Sequence, residues 1–224
     1  MKSVLITGGT VRLGKVIAAR LRAEGWRVIT SSHRPDAGAD IVADLAEPMG
    51  AAKLYAATLQ MLGGMPPDAL VNNAALFTGD AAAIAAVNLE SPRKLTVMMA
   101  GRETGVGAVV NVLDAAASDS RSSSDSSNSR TASQAGRGYL DLKRELRAFT
   151  LSSAATFAAT LRVNGVSPGP VMAPTDVHEK AGEMLLDRRP TADDVAAAVS
   201  YLLGAEAVTG TVIPVDSGQH LLEA

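Results

Sequence analysis

The segment that most constrains this chain runs from its first apolar residues to Gly25. Val4, Leu5 and Ile6 form an apolar run, Thr7, Gly8, Gly9, Thr10, Val11, Arg12, Leu13 and Gly14 follow, and a helix-period stretch then continues to Gly25. A strand, a glycine turn and a helix N-terminus in direct succession make a cradle for phosphate. Small residues let the backbone approach the group, whose charge meets unpaired N–H groups and the positive end of the helix dipole. Where such a turn ordinarily carries its central glycine, this chain has Arg12, which exchanges close backbone approach for a cation beside whatever is bound.

With 224 residues, 47% of them hydrophobic, the chain is long enough for one well-buried α/β domain, and residues 1–224 read as a single unit. A net charge of -2 provides no electrostatic footprint for nucleic acid or an anionic membrane, so a small-molecule partner is expected. The absence of cysteine excludes disulfides, thiolate metal sites and cysteine nucleophiles, and no metal is expected. Met1 to Ile6 is too short for a signal-peptide core and is already used by a strand. No apolar run approaches membrane-spanning length, so a cytoplasmic location is expected.

Hydrophobic periodicity predicts strands at 2–6, 27–31, 40–43, 68–72, 107–113, 161–165 and 211–215. It predicts helices at 13–24, 48–62, 80–101, 139–159 and 192–203. This alternation implies a Rossmann-type, doubly wound parallel sheet of about seven strands with helices on both faces, and ligands collect beyond the carboxyl ends of such strands. One segment interrupts the pattern: residues 118–138 contain nine serines and almost no apolar surface, which predicts a low-complexity loop. It joins a strand end to the helix carrying Tyr139, and it reads equally as a lid or as a tolerated insertion.

Gly8, Thr10, Arg12, Leu13 and Gly14 are the turn residues expected to hold a dinucleotide. After the second strand come Ser32, His33 and Arg34, where a fold selective for NAD places an acidic residue against the ribose diol, and no carboxylate is available here. Hydroxyls beside a guanidinium and an imidazole suit a ribose 2′-phosphate, so NADPH is expected rather than NADH, unless Arg34 is simply a solvated loop residue. Asp44 and Leu45 close the next strand, and Asn72, Asn73, Ala74 and Ala75 the one after. The small alanines would let a cofactor lie against the backbone, whereas the asparagines fit a turn or a helix cap equally well.

Tyr139 and Lys143 stand four apart at the start of a helix and share one face. An ammonium near a phenol favours phenolate and makes the tyrosine a usable acid or base near neutral pH. The glycine turn, Asn72 to Ala75, Asn88, Tyr139 with Lys143, Asn164 with Pro168 and Gly169, and Val208 to Gly218, taken in that order, resemble the short-chain dehydrogenase/reductase family over nearly the whole chain. The resemblance implies that Tyr139 is the proton donor, that Lys143 binds the nicotinamide ribose and tunes the phenol, and that Asn88 holds a proton-relay water. It also implies hydride transfer from the nicotinamide and a homotetramer.

Two departures point to a branch. The family usually has serine where this chain has Asp114, and an ionised aspartate would repel a developing oxyanion, while suiting a substrate that offers N–H groups. Asp114 with Arg12, His33 and Arg34 resembles the pteridine reductases, and Phe77 stands where those enzymes keep an aromatic that sandwiches the pterin against the nicotinamide. The C-terminal Pro214 to Leu221 is also similar to bacterial dihydromonapterin reductases. The expected substrate is therefore a dihydropterin, dihydromonapterin or dihydrofolate, bound by Arg12, Phe77, Asp114, Tyr139 and Met172, with Asp114 and Tyr139 as the catalytic pair that handles the proton. Pro168, Gly169 and Val171 are expected on the cofactor side. The alternatives are a reductase of a 3-oxoacyl thioester or other small carbonyl, and a non-catalytic NADP-binding regulator. Phe77 as loop packing and Asp114 as the start of a turn are the plain structural readings.

Overall fold

The computed structural model describes residues 1–103, 105–117, 134–171 and 183–222. Seven strands are present: β1 (Ser3–Thr7), β2 (Arg27–Ser32), β3 (Ile41–Val42), β4 (Ala69–Asn72), β5 (Gly107–Val112), β6 (Leu161–Pro168) and β7 (Val212–Val215). Each is short, and the central strands β1, β4, β5 and β6, buried on both faces, are rich in β-branched or leucine side chains. They form one sheet in the order β3-β2-β1-β4-β5-β6-β7, and every neighbouring pair is parallel. The chain progresses outward from β1 through β2 to β3, then returns to place β4 on the other side of β1. That reversal opens a crevice above the carboxyl ends of β1 and β4, the place where open α/β sheets receive ligands.

Alternation along the strands sorts the core into two layers. Val4, Ile6, Val71 and Val110 face α1 (Arg12–Ala23) and α6 (Ala192–Gly204), meeting Ile17, Leu21, Val195, Val199 and Leu202. Leu5, Leu70 and Val109 face the other side, where α2 (Gly50–Met61), α4 (Ser91–Ala100) and α5 (Gln134–Thr156) supply Leu54, Leu95, Met99 and Ala154. This is the single doubly wound domain expected from the periodicity. Thr191 and Asp194 close a reciprocal capping box at the start of α6, which satisfies two backbone donors that helix geometry leaves orphaned.

Three differences from expectation bear on the site. The helix expected over 80–101 is three pieces: α3 (Ala81–Ala85), a π-helical turn at Ala86–Glu90, and α4. Buried Ile84, Asn88, Pro92, Leu95 and Met99 keep a three-to-four-residue spacing across the π turn, so periodicity does not register it. α5 begins at Gln134, five residues before the expected start, so the serine-rich loop at 118–138 ends earlier than predicted. Gly136 and Gly138 are weak helix formers and lead that stretch to read as loop. Residues 118–133 of the loop lie outside the described residues. β6 continues to Pro168, which pairs in register with Val215. Among the described residues no helix is long and apolar enough to cross a membrane.

Leu202 is fully buried in the layer between α6 and the sheet, whereas its neighbour Tyr201 is exposed. Leu202→Ala is expected to lose about 2–5 kcal/mol of unfolding free energy, and Tyr201→Ala to stay within about 0.5 kcal/mol. Urea unfolding of the two variants checks the assignment of faces on α6.

Candidate active site

Most of the described segments singled out for chemistry lie at the carboxyl ends of the strands β1 to β6. The Thr7 hydroxyl accepts the backbone N–H groups of Asn73 and Ala74, each at 3.0 Å, and donates to the Val71 carbonyl at 3.4 Å. The Asn73 amide returns the link, donating to the carbonyls of Thr7 and Gly8 at 3.0 and 3.1 Å. Asn73 is therefore neither a simple turn residue nor a cap. It locks the glycine turn of β1 to the end of β4. Gly14 is forced by close approach, since a Cβ there would lie 2.1 Å from the Gly8 carbonyl oxygen.

Gly8 has φ of +63°, and Arg12 has φ of +47° although it carries a side chain. Arg12 thus retains the left-handed conformation of the glycine it replaces, one that costs an L residue about 1–2 kcal/mol. The N-cap of α1 is Val11, which has no capping side chain, and the first turn holds no acidic residue. Thr10 Oγ1, in the same turn, is buried without a hydrogen-bonding partner. Open N–H groups, close backbone packing and an orphaned hydroxyl fit the phosphates of a dinucleotide. Leu13 packs against the core from the α1 side.

At the end of β2, the Ser32 hydroxyl accepts the Arg34 N–H at 3.1 Å, and His33 is exposed. Arg34 is not a lone cation. A 3-10 turn at Pro35–Ala37 folds the chain back so that Arg34 Nε and Nη2 donate to the Asp36 carboxylate at 3.3 and 2.9 Å. The expectation that no carboxylate stands here holds at the strand end itself and fails four residues beyond Ser32. The Asp44 carboxylate accepts the Ala46 N–H at 2.8 Å, and buried Leu45 offers its carbonyl to the Ser91 hydroxyl at 3.0 Å. Ala74 is half-buried and Ala75 exposed, leaving an open surface above β4.

The chemical end is assembled by α5. Tyr139 and Lys143 are 4% and 3% exposed, and Asp114 is 8% exposed. The Tyr139 hydroxyl donates to Asp114 Oδ2 at 3.2 Å. The other carboxylate oxygen accepts the Ala116 N–H at 2.9 Å, so Asp114 both begins a turn and meets the phenol. Lys143 Nζ donates to the Val112 carbonyl at 3.0 Å and lies 5.6 Å from the centre of the Tyr139 ring. Burial pulls the Lys143 ammonium down to about 8, and the charge of Asp114 opposes that fall. The Phe77 ring is 52% exposed and sits 4.7 Å from the Tyr139 ring, tilted by 40°, within the usual range for an aromatic pair.

Asn88 lies in the π turn, a common location for functional side chains. Its amide nitrogen donates to the carbonyls of Leu76 and Ile84 at 2.7 and 2.9 Å. These two acceptors fix which end of the amide is which, and Oδ1 is left buried and unpartnered. Pro168 is buried at the end of β6, and Gly169 presses against Asp216, where a Cβ would approach Asp216 Cα to 2.9 Å. Val171 packs toward the layer containing α1 and α6. Met172 lies outside the described residues.

A further polar network belongs to no motif. Asn72 Nδ2 donates to Asn111 Oδ1 at 2.8 Å, Asn111 Nδ2 donates to Thr150 Oγ1 at 2.9 Å, and Thr150 donates to the Leu146 carbonyl at 2.7 Å, all in the buried interior. The sequence nevertheless carries a signal for it, because an asparagine within the run Val109, Val110, Asn111, Val112 needs a buried partner. Asn111 and Val112 are consecutive on β5, so one residue anchors Thr150 and the next anchors Lys143, two turns apart on α5.

A family model described as enoyl-(acyl carrier protein) reductase matches residues 11–220. This chain belongs to the short-chain dehydrogenase/reductase family. A Streptomyces violaceoruber protein named as a ketoacyl reductase of the granaticin polyketide synthase is 32% identical over 253 residues, covering 97% of this chain and 96% of its own. Levodione reductase of Leifsonia aquatica is 28% identical over 265 residues, covering 96% and 93%. Among solved structures, FolM alternative dihydrofolate reductase 1 of Brucella canis, complexed with NADP, superposes with a TM-score of 0.80 at 28% identity, covering 98% of this chain and 94% of its own. Short-chain dehydrogenase/reductase relatives with such different names leave the substrate to be argued from the residues of the site.

Lys143 yields a pH prediction with a definite sign. In the unfolded chain its amine titrates at about 10.4, and in the folded chain at about 8. Between these values the unfolded chain binds more protons, so this residue's contribution to stability rises with pH across the window and is lost as pH falls back toward about 8. Urea unfolding of the wild type and Lys143→Met from about pH 7 to 10 should show the difference shifting in favour of the wild type as pH rises. A difference that stays constant would mean that the lysine is not desolvated.

Proposed function

We propose that this chain is an NADPH-dependent reductase acting on a pterin, with dihydropterin, dihydromonapterin and dihydrofolate as the candidate substrates. The observation that carries the reading is the contact between buried Asp114 and the Tyr139 hydroxyl, at 3.2 Å. A carboxylate at this point is poorly suited to stabilise the oxyanion of a simple ketone, and well suited to accept hydrogen bonds from the ring N–H and amino groups of a pterin. The resemblance to an alternative dihydrofolate reductase supports the same substrate class.

In this reading the turn from Gly8 to Gly14 and the N-terminus of α1 hold the pyrophosphate, with the orphaned Thr10 hydroxyl as a donor. Ser32, His33 and Arg34 meet the 2′-phosphate. Asp44 and Leu45 border the adenine, Asn73, Ala74 and Ala75 line the path between the two nucleosides, and Pro168, Gly169 and Val171 flank the nicotinamide. When bound, NADPH supplies a hydride to a ring carbon of the substrate. Tyr139 donates the proton that the neighbouring ring nitrogen requires, and the Lys143 ammonium stabilises the phenolate left behind. Asn88 Oδ1 holds the water that returns a proton toward Lys143. Asp114 orients the pterin edge, Phe77 stacks on its face, and Arg12 and Met172 border it. A homotetramer belongs to the same proposal and rests on the family resemblance alone, while the cytoplasmic location stays the expectation drawn from the sequence.

Carbonyl reduction, as of a 3-oxoacyl thioester, is the second reading, favoured by the name of the Streptomyces violaceoruber relative. NADPH consumption with dihydromonapterin, dihydrobiopterin, dihydrofolate and 3-oxoacyl thioesters separates the two. Turnover of the thioesters with all three pterins inert would sink the pterin proposal. Tyr139→Phe is expected to lower turnover by about 10²–10⁴-fold while NADPH affinity stays within about twofold. Arg12→Gly should reduce pterin kcat/KM more than it reduces NADPH binding, since the left-handed backbone suits glycine.

A further inference from the structure

We infer that Asp36 is a specificity-determining residue whose carboxylate competes with the adenosine 2′-phosphate of NADPH for the Arg34 guanidinium, and so limits the preference for NADPH over NADH. The inference rests on the cofactor reading above and extends it to a residue that no part of that reading uses. Ser32, Arg34 and Asp36 follow one another along a single bend. The Ser32 hydroxyl holds the Arg34 backbone at 3.1 Å, Pro35 opens the 3-10 turn, and Gly38, in the left-handed region at φ of +64°, ends it. This geometry brings the Asp36 carboxylate onto the edge of the guanidinium formed by Nε and Nη2, at 3.3 and 2.9 Å.

A guanidinium has five N–H donors and two edges suited to bidentate acceptors. With one edge occupied by a carboxylate, an incoming phosphate must displace Asp36 or use the remaining edge with a like charge close by. Either route weakens phosphate binding relative to an uncharged neighbour. Hydrogen bonding to Arg34, reinforced by its charge, holds the Asp36 carboxyl below its usual range, so it stays ionised at neutral pH. NADH has no 2′-phosphate, and its ribose hydroxyls can donate to a carboxylate. The same group therefore opposes one cofactor and offers an acceptor to the other. Both side chains are exposed, at 59% and 71%, so the competition is modest and sensitive to salt.

The test is direct binding of NADPH and NADH by nucleotide fluorescence, at low salt and at about 0.5 M salt, for the wild type, Asp36→Asn and Arg34→Ala. Asp36→Asn is expected to tighten NADPH by about fivefold at low salt, with NADH unchanged or weaker, and the gain should shrink at high salt. If Arg34→Ala weakens NADPH while Asp36→Asn leaves it unchanged or weaker, Asp36 positions the arginine or does nothing, and the inference is overturned. If the wild type binds NADPH no better than NADH and Arg34→Ala changes neither, the NADPH reading beneath the inference is the one that fails.

Discussion

The hydroxyl of Thr7 joins the two halves of this molecule. One oxygen at the end of β1 accepts two consecutive N–H groups from the end of β4 and donates back to that strand. β1 and β4 pair in parallel and are the strands between which the winding direction reverses, so this knot extends their pairing to the base of the crevice. Asn73 reinforces the join from the other side through the carbonyls of Thr7 and Gly8. The glycine turn, the helix that follows it and the alanines beyond β4 keep their relative positions because this small knot is closed. A buried hydroxyl saturated in this way is worth more for uniqueness of geometry than for net stability.

From that knot, order passes to the chemical end through β5. Its Asn111 and Val112 hold Thr150 and Lys143 respectively, so the long helix α5 is anchored at two levels and its tyrosine is delivered at a defined depth. Asp114 continues the same strand and meets the tyrosine from the opposite direction. Helix and strand therefore present the phenol, the amine and the carboxylate as parts of one frame, the kind of arrangement that preorganised chemistry requires. The aromatic contact from Phe77 is the most exposed member of the group and comes from a loop.

Seven strands and the positions of the main helices are legible in the residues because short β-branched runs alternate with helix-period stretches over the whole chain. The boundaries that periodicity misplaces have local causes. The π turn at Ala86–Glu90 leaves the apolar face of its helix intact, and the first residues of α5 are too rich in glycine to read as helix. At the site, Tyr139 and Lys143 are legible as a helical spacing and Asp114 through the family resemblance, and the structure brings the three together. Their partners are not legible. The Val112 carbonyl carries no side-chain signature, and the meeting of Arg34 with Asp36 depends on the curl introduced by Pro35. Asn111 is the exception, since a polar residue in a run of valines announces by its type alone that it needs a buried partner.

Asp114 carries a consequence beyond its contact with Tyr139. Its second oxygen closes a turn onto the Ala116 N–H, a task that asparagine or serine performs with nearly the same geometry. The scaffold at the end of β5 thus depends on a short side-chain acceptor and not on the charge it carries. Charge at this position can change while the turn, the strand and the approach of α5 persist. The position is evolvable: under the pterin proposal, a single exchange here would alter the charge that meets the substrate while the turn onto Ala116 is kept.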